Sequence, residues 1–321
     1  MTGIGARRSA DRNAVRTTSS RSLPDFQRGA GAVTITALPR ATVDRIRLCA
    51  RGFVVSPGVA VAALTVGLVA IAVVAPAVLT GADPLAADPL AAQLPPSARH
   101  WFGTDHLGRD VFTRVIHGAR YSMLIGITAV AIAVVAGTAL GLLSGLARGP
   151  LDELITRFLD MVSAFPDLLL ALVLISFTGP GTTNLIFALG IASIPRFARV
   201  VRAQTLVVQE SGYVEQARTF GLTRATLVRR HVLPHAVAQV PILATIGLGT
   251  AVLGAAGLSF LGMGPQPPEP EWGAMLAEGR NYLRNAWWIA VLPGVAVTAT
   301  VIAVSSLGRR WQRHYDGRPS V

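Results

Sequence analysis

Five long runs without Asp, Glu, Lys or Arg constrain what this chain can fold into more than any other feature. They cover residues 52–82, 121–147, 168–195, 231–268 and 285–308. Each run is longer than the roughly 20 residues that an α-helix needs to cross the bilayer core. Only 14% of the residues are charged and 51% are hydrophobic, whereas soluble domains carry about 25% charged residues. The sequence therefore predicts an integral membrane protein.

The third run must contain two helices, because turn residues interrupt it at Gly179-Pro180-Gly181-Thr182-Thr183-Asn184. The runs are also far longer than the roughly 10-residue strands of a membrane barrel, which favours helices. The prediction is an all-α integral membrane protein with six transmembrane helices, at Val54–Leu79, Ser122–Leu146, Phe158–Phe177, Asn184–Gln204, Ala236–Leu261 and Ala286–Leu307.

Arginine predicts the orientation, since the chain contains no lysine. If both ends lie inside, the inner segments hold 23 arginines and the outer segments hold six. This asymmetry follows the positive-inside rule, and it explains the net charge of +12 without nucleic acid. Contact of the juxtamembrane arginines with anionic membrane lipid is expected.

Composition also predicts the domain organisation. Residues 1–50 are rich in Arg, Ser and Thr and are expected to form a disordered cytoplasmic tail. Residues 51–308 form the six-helix domain, with an outer loop at 80–121, an inner loop at 205–235 and a second outer loop at 262–285. Residues 309–321 form a second cytoplasmic tail. The single Cys49 excludes an internal disulfide.

Sequence motifs of catalysis are missing. Without lysine there is no GxxxxGK[ST] phosphate loop, and the sequence contains neither HExxH nor GxSxG. No catalytic residue and no cofactor are therefore expected on this chain, which disfavours an intramembrane enzyme. Any nucleotide hydrolysis would belong to another polypeptide.

The inner loop contains the most informative motif. A short amphipathic helix is predicted from Tyr213 to Phe220, with Val214 and Ala217 on its apolar stripe. Gly221 suits a left-handed C-terminal cap, Thr223 can cap the following helix, and Pro234 introduces the fifth span. An apolar stripe on a loop in water indicates a partner.

This loop resembles the cytoplasmic EAA loop of ABC importer permeases. The likeness lies in Glu215-x-Ala217, in Gly221 and in His231-Val232-Leu233-Pro234. Gln216 and His231 depart from the residues commoner in that family. The resemblance implies that the short helix docks on an ATPase subunit and transmits its closure to the membrane spans. The implied coupling residues are Tyr213, Glu215, Ala217, Phe220, Gly221, Leu233 and Pro234.

Two further blocks extend the resemblance over residues 50–308. Residues 100–120 and 256–288, together with Ala164-Phe165-Pro166, are similar to peptide and nickel permeases, above all to the C-type subunit of dipeptide and oligopeptide importers. The likeness implies the type I ABC importer permease fold in the bacterial inner membrane. The implied partners are a second homologous permease subunit, two ATPase subunits or a fused ATPase that bind ATP and Mg²⁺, and an extracytoplasmic binding protein that delivers short peptides for alternating access.

Alternative substrates and mechanisms stay open at this point. Importers of nickel, glutathione or another small solute belong to the same permease family. An ion-driven secondary transporter would need no ATPase partner, and the EAA-like loop argues against it.

Charged residues of the outer loops have two interpretations. Asp105, Arg109, Asp110 and Arg114 alternate in sign at helical spacing, which predicts local ion pairs on an exposed helix. Alternatively, this rim and the loop that carries Glu271 and Trp272 receive the binding protein. The tryptophans at 272, 287 and 288 are typical of a membrane interface.

Polar residues inside the predicted membrane region are expected to serve structure. Asp160 and Asp167 are seven residues apart on one predicted helix face, and Arg199 lies among arginines of the fourth span. Such charges either snorkel to the headgroups or pair across helices. The spacing of the histidines at 100, 106 and 117 does not favour a metal site, so none is predicted.

Overall fold

The computed structural model describes residues 57–147 and 149–315. These residues form helices and contain no β-strand, apart from one isolated bridge between Thr104 and Asp110. The prediction of an all-α chain is confirmed. The helices are α1 Pro57–Val74, α2 Val111–Ala147, α3 Pro150–Ser163, α4 Asp167–Thr178, α5 Thr182–Gln209, α6 Gly212–Thr219, α7 Arg224–Leu227, α8 Leu233–Ala236, α9 Val240–Phe260, α10 Trp272–Gly279 and α11 Trp288–Tyr315.

Among the described residues, α1, α2, α5, α9 and α11 are each long and apolar enough to cross a membrane. They match the predicted first, second, fourth, fifth and sixth spans. The 37 residues of α2 reach about 55 Å, well beyond the roughly 30 Å hydrocarbon core. Helix α2 therefore begins at Val111, inside the segment predicted as the first outer loop. Helix α11 continues to Tyr315, so the predicted tail at 309–321 is helical over its first part.

The predicted third span is wrong as a single helix. Helices α3 and α4 meet at an angle of 88° across the break at residues 164–166. Pro166 lacks an N–H, and its ring disfavours a helical conformation of Phe165, so the helix ends there. Helix α4 has only 12 residues, about 18 Å. Helix α3 has polar residues along one side and apolar residues along the other.

Two groups of connections lie at opposite ends of the helix bundle. We call residues 75–110 and 261–287 the rim, where α2 begins and α10 lies. We call residues 210–239 the basal loop, which contains α6, α7 and α8 and contacts the far end of α2. The Arg224 guanidinium and the Gln209 amide donate to the carbonyl oxygens of Leu146 and Gly145 at 2.9 and 2.7 Å. Both bonds satisfy carbonyls that the end of a helix leaves free.

Helices α2 and α5 are closely packed against each other. Three glycines of α2, spaced four residues apart, face α5. A Cβ added at Gly141 would lie 2.5 Å from the Ala198 oxygen, and one added at Gly137 would lie 2.6 Å from Phe197 Cβ. Small residues let two backbones approach in a membrane, where dispersion drives helix association. The basal loop therefore contacts a closely packed helix pair, because it follows α5 in the chain and touches the end of α2.

Residues 1–56 and 316–321 lie outside the described residues. They include the whole disordered tail predicted at 1–50, the first turn of the first predicted span and the end of the second predicted tail.

Candidate coupling site

Helix α6 is held against the bundle by one side only. The side chains of Val214 and Ala217 are buried at 0% and 8% exposure. They pack with Val208, Leu227 and Val232, and with the partly buried Leu146 and Leu222. The predicted apolar stripe is thus divided, because Val214 and Ala217 contact the chain itself and are not free for a partner.

The remaining side of α6 is open. Phe220 is 83% exposed, Tyr213 is 41% exposed, and Glu215 is also exposed. Tyr213 is steadied by aromatic contact with His235, at 5.5 Å between ring centroids. Phe220 has no such neighbour among the described residues. An exposed phenyl ring is a candidate contact for a protein partner.

Gly221 ends α6 as the sequence predicts. Its φ of +79° lies in the left-handed region, which L residues other than glycine and asparagine rarely adopt. The N–H of Leu222 then reaches back to the carbonyl oxygen of Ala217 at 3.3 Å, and the Leu222 side chain packs on the buried residues beneath. This is the Schellman arrangement, with its usual hydrophobic contact.

The chain then returns to the bundle. Thr223 caps α7, because its hydroxyl accepts from the Thr226 N–H. A π-helical turn at Val228–Val232 leads into α8. Leu233 is half-buried and Pro234 is exposed at the start of α8. The seven predicted coupling residues therefore lie on one continuous connection between α5 and α9.

Asp160 and Arg199 form one of the predicted pairs across helices. The Arg199 guanidinium donates to the Asp160 carboxylate at 3.0 Å, with both side chains about half exposed. Asp167 does not share their face, since the break at residues 164–166 places it in the exposed first turn of α4. The prediction that Asp160 and Asp167 lie on one helix face is wrong for this reason.

A tighter ion pair on the basal side escaped sequence analysis. Arg202 of α5 binds Asp152 of α3 through two hydrogen bonds, of 2.7 and 2.8 Å, and Ser144 of α2 donates to the same carboxylate. Asp152 stands 50 residues before Arg202 and lies in a run that is otherwise typical of a polar loop. No local signal links the two residues. The network joins three helices and fixes α3 to the bundle.

A buried ionic cluster organises the rim. Arg109 donates to Asp105 at 2.6 Å and to Glu278 at 3.1 Å, and Arg114 donates to Glu278 at 3.3 Å. Asp105, Arg109 and Arg114 are at most 3% exposed. Two cations thus face two anions, which offsets the cost of burying each charge. The prediction of ion pairs is correct but that of an exposed helix is wrong, because Asp105 and Arg109 precede α2 and Glu278 comes from α10.

The other rim residues are also structural. Glu271 accepts from Ser122 at 2.8 Å and from the Ala274 N–H at 2.9 Å, which caps α10. The Trp272 indole donates to the Val115 carbonyl at 2.8 Å. The half-buried Asp110 contacts His100 at 2.9 Å. Buried side chains cannot form a docking surface. The prediction that the binding protein docks on Asp105, Arg109, Glu271 and Trp272 is therefore wrong, and these residues stabilise the rim.

The tryptophans are likewise divided. Trp288 is buried and donates to the Thr104 carbonyl at 3.0 Å, whereas Trp287 is half exposed. Of the three tryptophans expected at the membrane interface, only Trp287 keeps an exposed ring.

Metal ligation has one geometric candidate among the described residues. Ligand atoms of Asp105, His106 and Glu278 lie within 4.8 Å of one another. Both carboxylates are already bound by Arg109 and Arg114, whose charges would repel a cation. The set contains neither His100 nor His117. The arrangement is a salt-bridge cluster rather than a metal centre.

Residues 137–321 match the family described as binding-protein-dependent transport system inner membrane component. A probable D,D-dipeptide transport system permease protein, DdpC of Escherichia coli strain K12, is 43% identical over 215 residues, which cover 67% of this chain and 72% of that protein. The dipeptide permease DppC of Alkalihalophilus pseudofirmus is 40% identical over 66% of this chain and 70% of its own length. The glutathione permease GsiD of Escherichia coli O6:K15:H31 is 47% identical, with the same shares.

Solved structures agree on the fold. The inward-facing MetNI methionine ABC transporter matches with a TM-score of 0.53 and 21% identity, over 63% of this chain and 95% of the solved chain. An amino acid ABC transporter with histidines matches with a TM-score of 0.51 and 18% identity, over 63% and 94%. At these identities the likeness extends to the fold alone, that of the type I importer permeases.

Proposed function

We propose a function from the premise that this chain belongs to the family of binding-protein-dependent transport system inner membrane components: it is the membrane-spanning permease subunit of an ATP-driven ABC importer that takes up short peptides. The chain provides the translocation path by alternating access and catalyses no covalent step.

The observation that carries this proposal is the construction of α6. Its inner side is buried on the bundle through Val214 and Ala217, while Phe220 and Tyr213 are exposed on a connection that joins two spanning helices. If a partner bound the exposed side of α6 and was then displaced, α5 and α9 would be displaced with it. Rigid packing transmits such a displacement because closely packed elements deform little.

We propose the partners that the family implies, and the exposed side of α6 supports a contact with an ATPase subunit. Two ATPase subunits bind ATP and Mg²⁺ and hold α6, a second permease subunit completes the pathway, and an extracytoplasmic binding protein delivers the peptide to the rim. The basal loop faces the cytoplasm, where Arg218, Arg224, Arg229 and Arg230 satisfy the positive-inside rule. Both termini are then cytoplasmic.

A second substrate has specific support. Glutathione is itself a modified tripeptide, and glutathione permeases are among the relatives with the highest identity, at 47%. A peptide backbone with free ionised ends is common to both substrates.

Uptake by the reconstituted complex tests the proposal. The four membrane and ATPase subunits are placed in liposomes that contain ATP, and the loaded binding protein is added outside. We expect accumulation of a labelled dipeptide that needs both ATP and binding protein. Glutathione and Ni²⁺ are compared in parallel. Uptake driven by a proton or sodium gradient without ATP would contradict the proposal and support a secondary transporter.

A further inference from the structure

A cavity of about 460 Å³ opens at the rim, outside the coupling site and the buried ionic cluster. Three segments that are distant in the sequence form it: Pro84 and Leu85, one face of α2, and Pro268–Pro270. A Cβ added at Gly118 would lie 2.4 Å from the Pro270 oxygen, so the third wall is closely packed against α2. The volume lies in the range of about 300–1,000 Å³ that small-ligand sites occupy.

Opposite charges line this rim cavity without meeting. Arg120 and Glu269 both face it, yet neither side chain forms an ion pair or a hydrogen bond with any described residue. Nearby opposite charges in one concave site attract each other, more strongly where solvent is partly excluded. A cation and an anion held apart in one cavity are complementary to a ligand that carries both charges.

The polar side chains of His117 and Tyr121 line the same cavity. The Nε2 atom of His117 is buried and has no hydrogen-bond partner, and the Tyr121 hydroxyl, one turn further along α2, has none among the described residues either. Buried polar atoms in proteins are nearly always hydrogen-bonded. The Tyr121 hydroxyl can donate to or accept from a peptide group in the cavity, whereas the His117 Nε2 atom has no surface open to it.

We propose that the rim cavity binds the peptide substrate by its two ionised ends before translocation. Arg120 binds the α-carboxylate, Glu269 binds the α-ammonium, and the Tyr121 hydroxyl contacts the peptide group between them. An extended dipeptide is about 7 Å long, so its two ionised ends can contact two charged side chains that do not pair with each other. The proposal rests on the proposed function, because it takes peptides as the substrate, and it adds a recognition site on the permease itself.

Binding to the complete membrane complex in lipid nanodiscs, without binding protein, tests this site. The probes are labelled Ala-Ala, its N-acetylated form and its C-amidated form. We expect the wild-type complex to bind free Ala-Ala and to bind each blocked form about tenfold more weakly, since each lacks one charge-assisted contact. Arg120→Gln should abolish the preference for the free carboxylate, and Glu269→Gln should abolish the preference for the free ammonium. The exposed rim residue Arg284, which is outside the cavity, provides the control variant Arg284→Gln, with binding like wild type.

Three results overturn the proposal. One is equal binding of all three probes, or none, by the wild-type complex. Another is unchanged preference in both cavity variants. The last is a loss of affinity for the binding protein in these variants with peptide binding intact, which would make the cavity a docking site. Dipeptide uptake by the wild-type complex is measured separately, so that a failed recognition site is distinguished from a failed peptide function.

Discussion

At the scale of single residues, local rules located the turn chemistry well but not the long-range ion pairs. Gly221 and Thr223 follow from the caps that any helix end needs, and both occur as predicted. Glu278 could not be found in this way, because its partner Arg109 stands 169 residues earlier. Sequence spacing indicates which side chains share a helix face, but not which distant segment faces them.

The Arg202–Asp152 pair should contribute measurable stability. We expect Arg202→Ala to lower the free energy of unfolding by about 1.5–3 kcal/mol, the usual range for hydrogen bonds to a charged group, because Asp152 loses both bonds. Thermal melting of the purified chain in detergent should fall by several degrees. Arg157→Ala is the control, since Arg157 pairs with Glu153 at 75% and 70% side-chain exposure, where a pair contributes at most about 1 kcal/mol. Equal shifts for the two variants would contradict a structural role specific to Arg202.

Phe220 should contribute to binding of the ATPase subunit and not to the folding stability of this chain. Because it is 83% exposed, Phe220→Ala should change the free energy of unfolding by less than about 0.5 kcal/mol. If the ring is a hot spot for the ATPase subunit, its affinity should weaken by about 2 kcal/mol, or some 30-fold. Pull-down titration against the ATPase measures this. Phe187→Ala, another exposed phenylalanine but in a spanning helix, should bind normally. Unchanged affinity in Phe220→Ala would exclude the ring from the docking contact.

At the scale of elements, apolar run length located five spanning helices within a few residues at most ends. It failed for the third span, because hydrophobicity does not report a bend. Ala164-Phe165-Pro166 contained the signal, since proline ends helices sharply, but the same residue can also merely kink a span. Pro195 lies inside α5 and Pro293 inside α11, which both continue past it. The difference depends on whether neighbouring helices satisfy the freed backbone groups.

The glycine stripe of α2 predicts a strong effect of added volume. In Gly141→Leu the new side chain would meet the backbone of α5, since even its Cβ would lie 2.5 Å from the Ala198 oxygen. Backbone cannot give way as a side chain can, so we expect a loss of about 1–3 kcal/mol or more. Expression level and melting temperature in detergent measure it.

Gly67→Leu in α1 is the matched control, because nothing lies within 4 Å of a Cβ at that position. It should express and melt like the wild type. Equal behaviour of the two variants would mean that α2 and α5 are not in close contact. The sequence itself contains these three glycines at a spacing of four residues. Only the structure identifies α5 as the helix that they face.

At the scale of the whole molecule, family membership was readable from the basal loop, whereas the arrangement of the rim was not. The motif residues of this loop are close together in the sequence, so the motif can be recognised without the structure. The rim is assembled from residues 75–110 and 261–287, and its charges became a buried cluster once these segments met. Four of the residues predicted to contact the binding protein, at positions 105, 109, 271 and 272, are therefore buried scaffold residues.

The orientation of the whole chain predicts which introduced cysteines react from each side. In a Cys49→Ser background, Thr219→Cys and Arg313→Cys should be labelled by a membrane-impermeant maleimide only from the cytoplasmic side. Leu90→Cys and Arg284→Cys, both exposed at the rim, should be labelled from outside. Labelling of position 219 from outside would reverse the orientation and remove the basal loop from contact with a cytoplasmic ATPase.

We propose that the coupling function of α6 depends on the left-handed conformation of Gly221. In Gly221→Val, a β-branched residue at a φ of +79° has a conformational cost of roughly 1–2 kcal/mol, although the space around the Cβ is open. This cost favours a different backbone conformation at residue 221 and thus a different chain direction after α6. Gly221→Asn is the matched control, because asparagine tolerates this conformation.

The most direct measurement is ATP hydrolysis and dipeptide uptake, recorded side by side in liposomes that contain the complete importer. For the wild type and for Gly221→Asn, loaded binding protein should stimulate hydrolysis and uptake together. For Gly221→Val, uptake should be lost while the permease remains inserted and the binding protein still holds peptide. Wild-type uptake and stimulation in Gly221→Val would contradict the account, since the conformation that places α6 against the ATPase would then play no part in transport.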